Sequence, residues 1–336
     1  EMRFIALRCK DTIAPVGTIA QGVGAKQMNA HGEIYETKYG LTTSQRLYGT
    51  VTENREGRGP CYLKTDEISA TQDQDLYRAY LNMAPSQTLK WVEAGKDPSR
   101  QNVEIEGTEP YIVGGHTASG YWVDTNRQTT INGLYAAGDV AGGCPQKYVT
   151  GAMVEGEIAA LDMINKLDKE EKNADFENVG ETEQKAFDEK VNEYNSFLAG
   201  KTQQFTTEAI EEAMQKVMDN YAGGISTHYQ FNAKQLELAK QKIKQLQELL
   251  PDVKADDMHE LMFVYELRER LVVCLSVIAH LEARKETRWH SFAENLDYPE
   301  KSDAWLKYVN SRYEDGEIKI IFRDLVTKED VYEHHH

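Results

Sequence analysis

Two groups of residues in this chain have types and spacing suited to chemistry. The first is the run Gly114-Gly115-His116-Thr117-Ala118-Ser119-Gly120-Tyr121-Trp122-Val123, followed by Asn132-Gly133-Leu134-Tyr135-Ala136-Ala137-Gly138-Asp139. It reads as a glycine-lined turn, then a buried strand over Leu134 to Ala137 that ends in Gly138-Asp139. A second glycine pair, Gly142-Gly143, precedes a helix expected from near Thr150-Gly151 to about Lys166. Glycines remove Cβ obstruction, and a helix start offers unpaired N–H groups at the positive end of its dipole. A backbone of this kind can approach a large anionic or electron-rich cofactor. Strand-Gly-Asp-helix also fits any doubly wound α/β turn, so the spacing alone leaves both readings open.

The second group is Arg8, within Arg8-Cys9-Lys10-Asp11, together with His116. Arginine suits a sulfate or phosphate because its planar fork gives two parallel charge-assisted hydrogen bonds and stays protonated. His116 lies among glycines and small polar residues, with little apolar packing to make it a core histidine. There it can donate to, or stabilise, an oxyanion. Arg3, Lys10 and Asp11 read as a surface salt-bridge cluster. Lys147 and Tyr148 stand just before the helix, where contact with a cofactor and simple packing are both open. The charged stretch Glu53 to Pro60 reads as a solvated glycine-rich turn. His31, His228, His259, His280 and His290 share no ligand spacing, so no metal site is expected.

The Gly138-Asp139 strand end with Thr150-Gly151-Ala152 resembles the second flavin-binding motif of the fumarate reductase and succinate dehydrogenase flavoprotein superfamily. Further residues resemble the adenylylsulfate reductase alpha-subunit family. These are Arg3-Phe4-Ile5-Ala6-Leu7-Arg8-Cys9-Lys10-Asp11 with Pro15-Val16-Gly17, His116 behind a Tyr-Ile strand, Asp297-Tyr298-Pro299-Glu300-Lys301 through Trp305, and Asn310-Ser311-Arg312-Tyr313. The polar stretch Thr18 to Lys26 and Gly115 depart from that family's pattern. The resemblance implies FAD as cofactor, with Gly114, Gly115, Gly138, Asp139, Tyr148, Thr150, Gly151 and Ala152 against it. Asp139 would hydrogen-bond the ribityl chain, and the helix start would face the pyrimidine end of the flavin, where reduction places negative charge. Arg8 and His116 would be the catalytic pair on the substrate side. The implied reaction is two-electron reduction of adenylylsulfate to sulfite and AMP, with electrons from an iron–sulfur beta subunit. Two alternatives stand beside it: a fumarate or succinate-type oxidoreductase acting on a dicarboxylate, and a non-catalytic helical unit that docks an electron-transfer subunit.

The elements that must position these residues emerge from periodicity. Residues 1 to 109 alternate short apolar segments with polar turns and then turn helical over Gln72 to Ala94, as in an α+β cap segment. Residues 110 to 168 form the flavin segment, and Lys169 to Glu183 reads as a linker. A helical bundle is expected over 182 to 287. One helix carries Val191, Tyr194 and Leu198. The next starts behind Thr206 and stops at Gly223-Gly224, a third is capped by Asn232 and ends at Pro251, and a central one runs from Asp256 to about Arg284. Residues 288 to 333 form an extension in which Glu317 to Arg323 reads as a strand behind the turn Glu314-Asp315-Gly316. A short hairpin with Trp305 to Asn310 is expected. The fold class is thus α/β plus α: a partial Rossmann-like FAD-binding domain with a cap segment, a helical bundle and a hairpin.

Composition narrows the partners. The 336 residues carry 38 Lys+Arg against 55 Asp+Glu, a formal net charge of -17, which repels nucleic acid and anionic lipid surfaces. No apolar run is long enough to span a bilayer and no signal peptide is visible, so the expected location is cytoplasmic. Cys9, Cys61, Cys144 and Cys274 are too scattered to bind an iron–sulfur cluster, which would therefore sit on the partner. No Gly-x-Gly-x-x-Gly opens a strand-helix unit, so the chain reads as a C-terminal fragment whose own hold on FAD would be weak or absent. The closing Glu333-His334-His335-His336 resembles an affinity-tag remnant.

Overall fold

A computed structural model describes residues 3–16, 22–112, 117, 119–143, 148–167, 180–200, 205–288 and 293–325. The first strands are β1 (Arg3–Phe4), β2 (Leu7–Cys9), β3 (Lys26–Met28), β4 (Cys61–Lys64), β5 (Val103–Gly107) and β6 (Tyr111–Ile112). Strands β2, β5, β4 and β3, in that spatial order, form an antiparallel sheet, and β1 pairs separately with β6. Helices α1 (Glu36–Tyr39), α2 (Thr43–Arg55), α3 (Ala70–Met83) and α4 (Pro85–Ala94) accompany these strands. The helical pattern read over Gln72 to Ala94 is two helices that meet at Pro85. Its ring removes the N–H that would continue α3, yet is accepted in the first turn of α4. Helix α2, absent from the elements expected above, starts at a capping box between Thr42 and Gln45.

Two charged features differ from expectation. Glu53 is buried in the last turns of α2, with its side chain only 2% exposed. Arg58 donates to it through Nε at 2.6 Å and Nη2 at 2.7 Å, Asn29 Nδ2 at 3.0 Å and Tyr39 Oη at 2.7 Å. The stretch from Glu53 to Pro60 is therefore an anchored corner and not a solvated turn: four donors compensate a carboxylate that the turn folds inward. Arg3 is also buried. Its Nη1 donates to the Ala222 carbonyl at 2.8 Å, at a helix C-terminus where carbonyls lack partners. Lys10 and Asp11 do lie at the surface, Lys10 with Glu104 at 2.8 Å and Asp11 with Lys90.

Helix α5 (Tyr148–Leu167) matches the expected flavin-segment helix. After it come α6 (Glu181–Leu198), α7 (Thr207–Tyr221), strand β7 (Gln230–Phe231), α8 (Ala233–Leu249) and α9 (Met258–Ala283). Caps sit close to where the sequence puts them: Thr206 accepts from Ala209 N–H, Asn232 from Gln235 N–H, and Asp257 from His259 and Glu260 N–H. Helix α9 is the bundle's centre, packing on α6, α7 and α8, while Met262, Phe263 and Val273 on its outer side stay exposed. Strand β8 (Glu294–Asn295) pairs in parallel with β7. The last pair, β9 (Lys307–Glu314) and β10 (Glu317–Asp324), is a long hairpin with Glu317 opposite Glu314. The expected partner strand of β10 is thus displaced from Trp305–Asn310, because the turn at Asp315-Gly316, both with positive φ, sets the register.

Apolar side chains from β2, α2, α3, α7, α8 and α9 belong to one continuous cluster that includes Leu7, Leu47, Leu76, Ile210, Leu236 and Leu271. Polar links join the same parts: Tyr229 Oη donates to the Thr108 carbonyl at 2.9 Å, and Arg55 meets Glu294 at 2.8 Å. Within residues 117–143, by contrast, the described core is a small separate cluster of Val123, Ala136 and Ala141. Among the described residues no helix is long and apolar enough to cross a membrane. Gly114, Gly115, His116, Lys147, most of the expected linker and the terminal histidines lie outside the described residues; Glu181 to Glu183 already belong to α6.

The Arg58 contacts, foremost, hold the Glu53 carboxyl well below the usual carboxylate range. Because the folded-state value is depressed, the stabilisation is complete above about pH 4.5 and is lost as pH falls through the folded value. Glu53→Gln is expected to cost about 3 kcal/mol in urea unfolding at neutral pH. That cost should shrink steadily at acid pH, and a cost independent of pH would show that packing, not charge, holds the corner.

Candidate functional site

The expected buried strand at Leu134–Ala137 is not a strand of a sheet. Among the described residues it pairs only with the chain just before it: Gln128 bridges Tyr135, Thr129 N–H donates to the Leu134 carbonyl at 2.8 Å, and Ala136 N–H to the Arg127 carbonyl at 3.0 Å. Leu134 is 51% exposed. A strand needs a neighbour along each buried edge, and among the described residues only a local return supplies one here.

Beyond Ala137 the chain does take the expected form. A short 3-10 turn spans Gly138–Val140, and Gly138 has φ 73°. A Cβ there would stand 3.1 Å from Ala152 Cβ, so glycine serves both the left-handed backbone and the close approach of α5. The Gly138 N–H donates to Glu155 Oε2 at 2.9 Å, and Glu155 Oε1 faces Arg127 Nε at 3.0 Å. Glu155 is buried, as are Gly151 and Ala159, which makes i, i+4, i+8 the inner face of α5. A second tie lies further along α5: Tyr135 Oη donates to Asp162 at 2.6 Å, and Lys166 pairs with the same carboxylate at 2.8 Å.

Asp139 is exposed, and its carboxylate has no hydrogen-bond partner among the described residues. Tyr148, at the first position of α5, has φ 76°, an unusual backbone for a bulky residue. Tyr148, Thr150 and Ala152 are exposed while Gly151 is buried, so the start of α5 is open at the turn. Of the residues read as cofactor-binding, Gly138, Asp139, Tyr148, Thr150, Gly151 and Ala152 therefore gather at one turn and one helix end. Gly114 and Gly115 lie outside the described residues. Glu155 and Arg127 belong to this site without having been singled out by sequence reasoning. Glu155 carried a signal, as a lone carboxylate on the small-residue face it shares with Gly151 and Ala159.

Arg8 stands elsewhere, on β2 opposite Glu106 of β5. Leu7 and Cys9 point into the core and Arg8 to the other face of the sheet, half-buried. Its Nη1 donates to the Leu7 carbonyl at 3.2 Å, and among the described residues no carboxylate reaches salt-bridge distance. Burial raises the Glu106 carboxyl above its ordinary value. Beneath Arg8, burial likewise pushes the Cys9 thiol up to about 11, which leaves it a protonated core residue at 3.6 Å from Tyr80 Oη. No described contact joins Arg8 to the Gly138 turn, and His116 lies outside the described residues. Among the described residues no cluster of His, Cys, Asp or Glu could hold a metal ion.

Residues 211–334 match the family model described as the fumarate reductase flavoprotein C-terminal region. The chain is 26% identical over 371 aligned residues to the adenylylsulfate reductase subunit alpha of Megalodesulfovibrio gigas, covering 94% of this chain and 56% of that protein. The structure of adenylylsulfate reductase from Archaeoglobus fulgidus superposes with a TM-score of 0.84 at 28% identity, over 99% of this chain and 60% of that one. A quinol-fumarate reductase shares the fold at a TM-score of 0.74 and 18% identity, over 98% of this chain and 60% of that one. The chain thus spans a little over half the length of the relatives it matches.

Glu155 has two separable tasks, and two substitutions separate them. Glu155→Gln keeps an acceptor for Gly138 N–H but drops the charge facing Arg127, whereas Glu155→Leu removes both and orphans a buried N–H. Leu is expected to cost about 1 kcal/mol more than Gln in chemical denaturation. Equal costs would assign the whole effect to the Arg127 ion pair.

Proposed function

We propose that this chain, which resembles the alpha subunit of adenylylsulfate reductase along almost its whole length, forms part of a flavin-dependent reductase. Its substrate in this reading is adenylylsulfate, its products are sulfite and AMP, and its electrons come from an iron–sulfur partner subunit. The single observation that carries the reading is the Gly138-Asp139 turn at the open start of α5. There a carboxylate with no described partner, a glycine with no Cβ to obstruct approach, and the N-terminal turn of a 20-residue helix meet. That donor and acceptor set fits FAD. The Asp139 carboxylate can accept from ribityl hydroxyls, and the N–H groups of the first turn of α5 with the positive end of its dipole suit the electron-rich edge of a reduced flavin. Bound there, FAD would supply the two-electron redox chemistry.

The chain's own residues bind and orient. In the overall reaction the bond between sulfur and the phosphate-side oxygen breaks, that oxygen leaves with AMP, and sulfur gains the electron pair. Negative charge therefore builds on the leaving phosphate and on the sulfite oxygens. Arg8, fixed on a strand and free of any described carboxylate, is suited to meet that charge with its fork. His116 is assigned to donate to an oxyanion on the same substrate. The Arg8 strand is anchored by Leu7 and Cys9, which are buried on the opposite, core face of the sheet.

Asp139→Ala in the assembled enzyme should lose FAD while the helical bundle stays folded, measured by flavin absorbance against far-ultraviolet circular dichroism. Full flavin retention would make Asp139 a turn residue only. Arg8→Lys should already impair turnover, because a point charge cannot reproduce the fork, and His116→Ala should lower turnover by roughly 10²-fold at unchanged FAD content. Both variants are to be assayed with adenylylsulfate and, in parallel, with fumarate. Activity on fumarate alone would replace the sulfur reading by the dicarboxylate one, and unimpaired turnover in both variants would remove Arg8 and His116 from the site.

A further inference from the structure

The C-terminal hairpin is remote in sequence from the Gly138 turn, yet one of its side chains reaches the segment that carries it. Strands β9 and β10 lie on α9. His280 Nε2 meets Ser311 Oγ at 3.0 Å, Arg284 donates to the Trp305 and Lys307 carbonyls at 3.0 and 3.2 Å, and Lys244 pairs with Glu317 at 2.6 Å. Near the end of β10, the guanidinium carbon of Arg323 stands 4.1 Å from the centre of the Trp122 ring and 5.0 Å from that of Tyr308. Its Nε donates to Asn310 Oδ1 at 2.9 Å. A guanidinium can stack on aromatic faces and keep an in-plane hydrogen bond at the same time, which a compact ammonium cannot.

Trp122 adjoins the backbone that holds the turn. Tyr121 N–H donates to the Val140 carbonyl at 2.8 Å, and the Tyr121 carbonyl accepts from Gly142 N–H at 2.8 Å. At Gly120 a Cβ would stand 2.5 Å from the Val140 carbonyl oxygen, so the two backbones touch directly. Val123 on the other side of Trp122 belongs to the three-residue cluster with Ala136 and Ala141. A segment whose described apolar core is so small gains order from a contact that fastens it from outside. Arg323 is such a contact, and the hairpin that carries it is tied to the main core through α8 and α9.

We propose that Arg323 is a positioning residue for the Gly138-Asp139 turn, acting through Trp122 to fasten the turn's segment to the helical bundle. The coupling is a property of the apoprotein. Its consequence for cofactor binding rests on the flavin reading above.

Hydrogen exchange followed by mass spectrometry on the full chain tests the two parts separately. In Arg323→Gln, peptides covering 119–143 are expected to exchange roughly tenfold faster, while those from α9 keep their protection and so report an intact fold. Arg323→Lys, which keeps the charge but loses the stacked plane, should give an intermediate rate. Trp122→Leu should accelerate 119–143 without loosening β9 and β10, and the double variant should add little to either single one. Unchanged exchange over 119–143 in both Arg323→Gln and Trp122→Leu would overturn the proposal, as would full additivity in the double variant. Flavin absorbance of the same variants in the assembled enzyme forms the second arm. Faster exchange with a matching loss of bound flavin supports coupling to the cofactor site. Faster exchange with flavin content unchanged supports the coupling and counts against a flavin at this turn alone.

Discussion

Residues 117–143, which carry the Gly138-Asp139 turn, have a described apolar core of only Val123, Ala136 and Ala141, and much else about the site depends on that constraint. Three small side chains bury too little surface to order about two dozen residues, because each ordered residue costs on the order of 1–2 kcal/mol of backbone entropy. Directional contacts add to it. Glu155 takes the Gly138 N–H and faces Arg127, Asp162 takes Tyr135 and Lys166, and Arg323 stacks on Trp122. Polar groups on α5 thus hold the turn, and in the proposed reading a cofactor that binds N–H groups and the Asp139 carboxylate would add to the same kind of bonding.

The remainder of the chain is organised in the opposite way. Strand β2, helices α2 and α3 and the bundle helices share a single apolar cluster, so the sheet that carries Arg8 and the bundle behave as one packed body in energetic terms. Arg3 illustrates how tightly they are joined: its guanidinium satisfies a carbonyl at the end of α7 from the first strand of the chain. Arg8 gains rigidity from this arrangement, since its strand neighbours Leu7 and Cys9 are core residues.

Much of this was legible in the sequence where hydrogen bonding is local. Helices α5 to α9 arise from apolar periodicity and from caps such as Thr206 and Asn232, because an α-helix satisfies its backbone within four residues and needs only one apolar face. Gly138 next to Asp139, and the turn at Asp315-Gly316, could likewise be read as positions that require left-handed backbone. The order of an acid after Gly138 and a helix start a few residues on was visible too.

Tertiary structure alone decided the rest, and in each instance the partner is distant in sequence or the outcome depends on burial. Leu134–Ala137 has the composition of a strand but is not one, because pairing is decided by what lies alongside. The partner of β10 is Lys307–Glu314, because register propagates from the turn. Glu53 and Arg3 are charged residues that the sequence leaves at the surface, and the fold buries them with donors and acceptors from Arg58, Asn29, Tyr39 and Ala222. Glu155, Arg127, Trp122 and Arg323 acquire their roles the same way. Local periodicity thus determined which segments are helical and where the backbone must turn. Only the folded chain determined which charges are compensated and which segments are fastened together, since Coulomb and hydrogen-bond energies depend on distance and burial, and neither is a property of sequence order.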